Sequence, residues 1–215
     1  MLGLFRLFFT ALALAGLSGA AAGQETYVSE EQQRNLYEAG QETELPEVVG
    51  TTNLFSTALR FPYPKEWVPV YQVRQPGMFM MEYIPFGEDV RTNWTQMVTV
   101  QAFSMPQTRG LQPAQFARGW GRRMVSACSG ESEFEELGAI DIEGATSYRV
   151  VFKCVGPDTS ELTAYQVTNR NGDLIGVQFT MRSSPDGENV SDRRDYFVSL
   201  LDRLEFSDGT PAQPN

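Results

Sequence analysis

Residues 78–103 read MFMMEYIP, then Phe86, then GEDVRTN, then WTQMVTVQAF. Two β-rich runs flank a short connection of Gly, Asp and Asn, the composition of a turn between strands. In the first run Met78, Met80 and Ile84 share one face, and Phe79, Met81 and Tyr83 share the other. A strand that is apolar on both faces must be covered on both sides. The stretch therefore predicts two neighbouring central strands of a sheet, with the 87–93 connection exposed at one end. Glu82 is the one side chain of the first run that such packing does not explain.

The same period-two and helical patterns extend outward from this centre. Strands are predicted over 53–61, 67–73, 78–84, 94–105 and 147–155, with Pro62-Tyr63-Pro64-Lys65-Glu66 read as a turn and Pro69 confining part of the second strand to an edge. In 147–155, Tyr148, Val150, Phe152 and Cys154 face one way while Arg149, Val151 and Lys153 face the other. Residues 161–169 and 174–182 form a hairpin about Asn171-Gly172. That turn sets Thr168 opposite Ile175, Ala164 opposite Phe179 and Leu162 opposite Met181. It also brings Gly176 beside Val167, within cover of Tyr165. A helix is predicted over 113–128, opened by Pro113 and carrying Phe116, Trp120, Met124 and Ala127 as its apolar stripe. A last helix near 191–204 buries Phe197, Leu200, Leu201 and Leu204.

The termini read differently. Arg6, the apolar run 7–17 and Ala20-Ala21-Ala22 form a secretory signal pattern over residues 1–22, with cleavage expected after Ala22 or Gly23. The run is shorter than the roughly 20 residues of a membrane span. Residues 23–50 form an acidic segment in which Ser29 and Gln32 resemble a capping box before a short helix over 30–39 that stops at Gly40. One domain then covers 51–206, and 207–215 is a frayed tail.

The chain carries formal charge −10, and loss of Arg6 makes it −11. Seven Glu and one Arg put −6 of this into residues 24–50, leaving −5 for the rest. Nucleic-acid binding, which relies on a basic face, is not expected. Histidine is absent, which removes most triad, acid–base and zinc chemistry. No nucleotide loop or nucleophile elbow occurs. The two cysteines, Cys128 and Cys154, are aimed at each other, one from the helix and one from the strand. In an exported chain they are expected as a disulfide, stabilising by roughly 3–4 kcal/mol through loop closure.

The order of elements resembles the PsbP-like fold over roughly residues 53–206, and Phe61-Pro62-Tyr63-Pro64-Lys65-Glu66-Trp67 is similar to the start of such domains. Tyr83-Ile84-Pro85 through Asn93-Trp94-Thr95-Gln96-Met97-Val98-Thr99-Val100-Gln101 resembles a motif of uncharacterised exported bacterial proteins. The resemblance implies a binding or assembly role and carries no catalytic, metal or cofactor residue to this chain.

The expectation is thus an α+β fold: a mostly antiparallel central sheet of about six to seven strands with helices on its faces. Four residues merit inspection for function. Glu82 is a carboxylate in an apolar strand, with a salt bridge as the plainer reading. Trp94, with Trp67, could line a cleft, although strand aromatics are more often core. Arg118 and Arg122, with Arg123, make a basic patch, with neutralisation by Glu131, Glu133, Glu135 and Glu136 just downstream as the simpler account. Those glutamates could in principle hold a hard cation, but they lack the loop pattern such sites use. Asn93-Trp94-Thr95 and Asn189-Val190-Ser191 are formal glycosylation sequons. The reading is an exported, non-catalytic binding or accessory protein, with no cofactor, no metal and no membrane span after cleavage. Its partner is expected to be another envelope or secreted protein, docking on an exposed edge or on the acidic segment. The alternatives are a hydrolase using carboxylates, or a small-ligand carrier with an apolar cavity.

Overall fold

The computed structural model describes residues 24–106, 108, 110–184 and 189–209. The signal pattern of residues 1–22 and the tail from residue 210 onward lie outside the described residues. The chain begins with β1 (Gln24–Tyr27), α1 (Glu30–Gln41), β2 (Glu47–Asn53), β3 (Thr57–Pro64), β4 (Trp67–Gln75), β5 (Met78–Pro85) and β6 (Gln96–Phe103). It continues with α2 (Pro113–Ala127), β7 (Glu131–Ile142), β8 (Ala145–Val155), β9 (Ser160–Arg170), β10 (Asp173–Ser183), a 3-10 turn (Val190–Arg193), α3 (Arg194–Leu201) and β11 (Glu205–Asp208). Eight strands form one antiparallel sheet in the order β1-β4-β5-β6-β10-β9-β8-β7, and β11-β3-β2 form a second. The α+β class stands, but the single sheet of six to seven strands is corrected to these two.

β5 and β6 are neighbours inside the large sheet, as their two-sided apolar pattern requires. Phe79, Tyr83, Val98 and Val100 face one core with the small sheet and α3, where Phe61, Phe197, Leu200, Leu201 and Phe206 meet them. Met80, Ile84, Met97 and Trp94 pack on the opposite face. The β9–β10 hairpin has the expected register, with Ile175 opposite Thr168, Phe179 opposite Ala164 and Met181 opposite Leu162. Asn171 and Gly172 take the left-handed conformation (φ 53° and 83°) that a two-residue hairpin turn needs.

Several boundaries differ for identifiable reasons. β3 runs through Pro62 and Pro64, and the turn is only Lys65-Glu66. β11 starts opposite Arg60, so both prolines lie where β3 is paired on one side alone. The strand expected from Asn53 is therefore two strands, folded back at Leu54, whose N–H donates to the Thr57 carbonyl. Pro69 sits where β4 has β5 but not yet β1 beside it, next to a bulge. The acidic stretch after α2, given no element by the sequence pattern, is an edge strand, β7. Trp94 precedes β6 rather than lying in it. The last helix is split: the Asn189 side chain accepts from the Ser191 N–H to start the 3-10 turn, and α3 follows only to Leu201. Leu204 is buried beyond the helix end, and the chain then pairs with β3 as β11. At the N-terminus the capping box of Ser29 and Gln32 is formed, and α1 extends through Gln41.

Cys128 caps α2 and is joined to Cys154 of β8, with Cα atoms 5.8 Å apart. α2 meets the sheet along Pro113, Ala117, Gly121 and Met124 rather than along the expected stripe of Phe116, Trp120, Met124 and Ala127. Phe116 and Trp120 flank this contact line and pack on the cluster of Phe103, Tyr148, Val150 and Tyr165. Small residues occupy the line because Phe134 of β7 reaches under the helix. A Cβ on Gly121 would lie 2.1 Å from its Cε2. Gly119 is different: a Cβ there meets only the Arg122 guanidinium, at 3.9 Å.

The two glycines should therefore respond oppositely to the same substitution. Gly119→Ala should stabilise the fold by about 0.5–1 kcal/mol through helix propensity. Gly121→Ala should destabilise it, because the clash with Phe134 outweighs that gain. Urea denaturation of the two variants checks this, and stabilisation by both would contradict the packing described.

Candidate functional site

Strand alternation builds a polar seam into the α2-side face of the large sheet. Glu82, Thr99, Gln178 and Tyr165 are cross-strand neighbours on β5, β6, β10 and β9. They run from the apolar cluster of Met80, Ile84 and Met97 into the one beneath α2, to which Tyr165 belongs. The Gln101 amide donates to the Tyr165 hydroxyl (2.6 Å), and Thr163 and Thr180 bond each other (3.0 Å). Burial raises the Tyr165 hydroxyl pKa far above its ordinary range. Thr99 Oγ1 and Gln178 Oε1 are buried with no hydrogen-bond partner among the described residues.

At the end of the seam lies the cross-strand pair Glu161 and Arg182. Arg182 donates to Glu161 Oε2 at 3.1 Å, and the carboxylate side chain is only 13% exposed. Burial pushes the Glu161 carboxyl up, with Arg182 opposing part of that effect. The Arg182 guanidinium lies 4.0 Å above the Trp94 ring, a cation–π contact. Its backbone N–H donates to the Thr95 carbonyl at 2.7 Å. Glu161 Oε1 and Arg182 Nε are also buried without partners among the described residues.

Arg182 of this pair lines an open cleft of about 680 Å³, together with Glu88, Thr92, Trp94, Asp158 and Thr159 among others. The Glu88 carboxylate is fixed by the Thr95 N–H (2.7 Å) and hydroxyl (2.6 Å). The cleft thus offers an immobilised cation, two carboxylates and several hydroxyls, an arrangement suited to hydrogen-bonding a polar ligand.

The inspected residues separate into different surroundings. Trp94 lines the cleft, whereas Trp67 is in the core on the other face of the sheet, so the two do not share a site. Glu82 is half-buried in the seam, opposite Tyr71 and Thr99. Arg118 donates to Glu136 (2.8 Å) and to the Tyr148 hydroxyl (2.9 Å), and that hydroxyl donates in turn to Glu136. The Tyr148 and Arg118 bonds hold the Glu136 carboxyl below its usual pKa, and Glu136 raises the Tyr148 hydroxyl. Arg122 is exposed, with no ion pair among the described residues.

Arg182, Glu161 and Asp158 were not among the candidates from sequence. A signal existed for two of them. The hairpin register that places Leu162 opposite Met181 also places Glu161 opposite Arg182 one step further on. The glutamates of β7 do not converge. Among the described residues no group of three or more His, Cys, Asp or Glu is arranged to hold a metal ion. No described helix is long and apolar enough to cross a membrane.

A third shifted carboxylate lies apart from the cleft. Glu47 of β2 bonds Arg203 and the Tyr196 hydroxyl, and these bonds, Arg203 first, outweigh burial and lower its pKa. Burial and Glu47 together push the Tyr196 hydroxyl up to about 12. A carboxyl depressed on folding stabilises fully above its unfolded value, here 4.5, and loses that contribution as pH falls through the folded value. The raised Glu161 carboxyl acts with the opposite sign. Between pH 6 and pH 3, wild-type protein should therefore lose more stability than Glu47→Gln, the two converging at the acid end. Denaturant titration at each pH measures the difference, and parallel curves would remove Glu47 from the account.

No family model matches the chain, and no curated protein matches it. Among solved structures, the chain is similar to LpqN, a protein involved in cell envelope biogenesis of Mycobacterium tuberculosis, with a TM-score of 0.36 and 9% identity over 79% of this chain and 95% of that one. A likeness this loose assigns neither a fold family nor a residue role.

Proposed function

We propose that this chain is an exported, disulfide-stapled binding protein that takes a polar ligand in the Trp94–Arg182 cleft. The observation carrying the reading is the guanidinium of Arg182, held by Trp94 and Glu161 where Arg182 lines an open recess with several hydroxyls. A held cation keeps its orientation without the entropy cost of ordering a free side chain, so it favours recognition. Export is supported by the signal pattern of residues 1–22 together with the Cys128–Cys154 bond. The PsbP-like resemblance of residues 53–206 belongs to the same proposal, as does a partner among envelope or secreted proteins.

Binding is favoured over hydrolysis by where the carboxylates are. A carboxylate hydrolase sets two carboxyl groups across one scissile bond. The carboxylates with shifted pKa values here, Glu47, Glu136 and Glu161, stand on β2, β7 and β9, each with its own arginine. A carrier of apolar ligands is disfavoured because Phe179, Phe197, Leu200 and Leu201 fill the space between sheet and α3.

Thermal-shift screening against polyols, amino sugars, amino acids and small carboxylic acids tests the proposal. At least one class should stabilise the protein, and Asp158→Asn or Thr159→Ala, both on the rim, should weaken that effect. Turnover of a bound compound, or stabilisation that ignores both rim changes, would contradict it.

A further inference from the structure

Most of the described arginines lie within ion-pair distance of an Asp or Glu. Arg122 and Arg123, adjacent on α2 and both exposed, have no such partner among the described residues. The glutamates just downstream could have neutralised them, and β-strand alternation explains why they do not. Ser132, Phe134 and Glu136 of β7 face the α2 side, as the pairing of Ser132 with Cys154 and the Phe134–Gly121 contact require. Glu131, Glu133 and Glu135 then face the other side, where Glu135 pairs with Arg194 of α3. Glu136 is already engaged by Arg118 and Tyr148. Two cations are left on a surface whose sequence neighbours are acidic.

These cations border a groove of about 510 Å³ along α2, lined by Gly119, Arg122, Arg123, Ser126 and Ala127. Gly119 leaves open space beside the arginines. Val125, 39% exposed, lies on the same stretch of helix. Planar guanidinium groups bind carboxylates through paired hydrogen bonds, and an exposed apolar side chain adds contact area.

We infer that this face of α2 docks an acidic peptide segment of another protein, at a surface separate from the Trp94 cleft. Charge complementarity selects that occupant. The chain's −10 formal charge repels acidic partners generally and leaves this patch as an attractive point. Anionic bilayers are usually captured by clusters of about 4–8 basic residues, more than the two here. Nucleic acid demands broader neutralisation still.

The probe is a fluorescein-labelled peptide of alternating Glu and Leu, read by anisotropy, with its Gln-for-Glu counterpart and phosphatidylglycerol vesicles as further arms. The Glu peptide should bind, weaken with added salt, and lose about tenfold or more in affinity on Arg122→Ala/Arg123→Ala, a change of about 1.4 kcal/mol or more. Alanine at these exposed helical positions preserves the fold, and circular dichroism verifies it. Asp158→Asn should leave peptide binding unchanged, separating this surface from the cleft. Failure of the Glu peptide to bind, equal binding of the Gln peptide, no loss in the double variant, or vesicle binding without peptide binding would each overturn the inference.

Discussion

Arg149 carries the interaction on which the arrangement of the two sheets depends. Its side chain, 8% exposed, rises from β8 and donates to Gln166 of the neighbouring strand (2.6 Å) and to the Leu201 carbonyl at the end of α3 (2.8 Å), and it pairs with Asp202. A cation at a helix C-terminus satisfies carbonyls that have no partner within the helix and complements the helix dipole. α3 cannot then slide along the sheet. The chain leaving it, through Leu204, is delivered to β3 as β11, which completes the small sheet over Phe61, Phe79 and Phe179. A buried arginine is costly unless its donors are used. Here its donors tie β9 of the large sheet to the C-terminal end of α3.

The opposite face of the large sheet is held in another way and has another character. α2 is tied at its end by the Cys128–Cys154 bond and pressed onto Phe134 through Gly121. Between α2 and the cluster around Trp94 runs the seam from Glu82 to Tyr165, ending in the Glu161–Arg182 pair. Leaving a buried polar atom without a partner costs about 1–3 kcal/mol, and four such atoms lie on this face among the described residues. Both proposed recognition surfaces, the Trp94 cleft and the arginine groove, flank this face. The side that Arg149 organises is packed with aromatic and aliphatic residues.

Long patterned elements were readable from sequence because a single periodicity decides them. The two-sided apolar strands β5 and β6, the Asn171-Gly172 hairpin with its register, and the aim of Cys128 and Cys154 all follow from alternation or helical spacing. What was not readable depends on partners distant in the chain. β7 is a strand because β8 offers it an edge, and its glutamates suit an exposed edge that must not aggregate. As an acidic run with no strand assigned, the same residues offer to neutralise Arg122 and Arg123; as a strand, three of four turn away. Arg149 was assigned by alternation to the face away from α2, correctly, but nothing local revealed that α3 would cover it. The α2 contact line was displaced to Ala117 and Gly121 for the same reason, since Phe134 arrives from a strand the sequence pattern did not show.

Native-state hydrogen exchange on Arg149→Met tests the central dependence most directly. Methionine fills much of the side-chain volume but leaves the Leu201 carbonyl and the Gln166 side chain without their donor. The account predicts that amides of α3, β11 and β3 lose protection together while the β9–β10 hairpin and β5–β6 retain theirs. Unchanged protection in α3 and β11, or an equal loss across every strand, would contradict it.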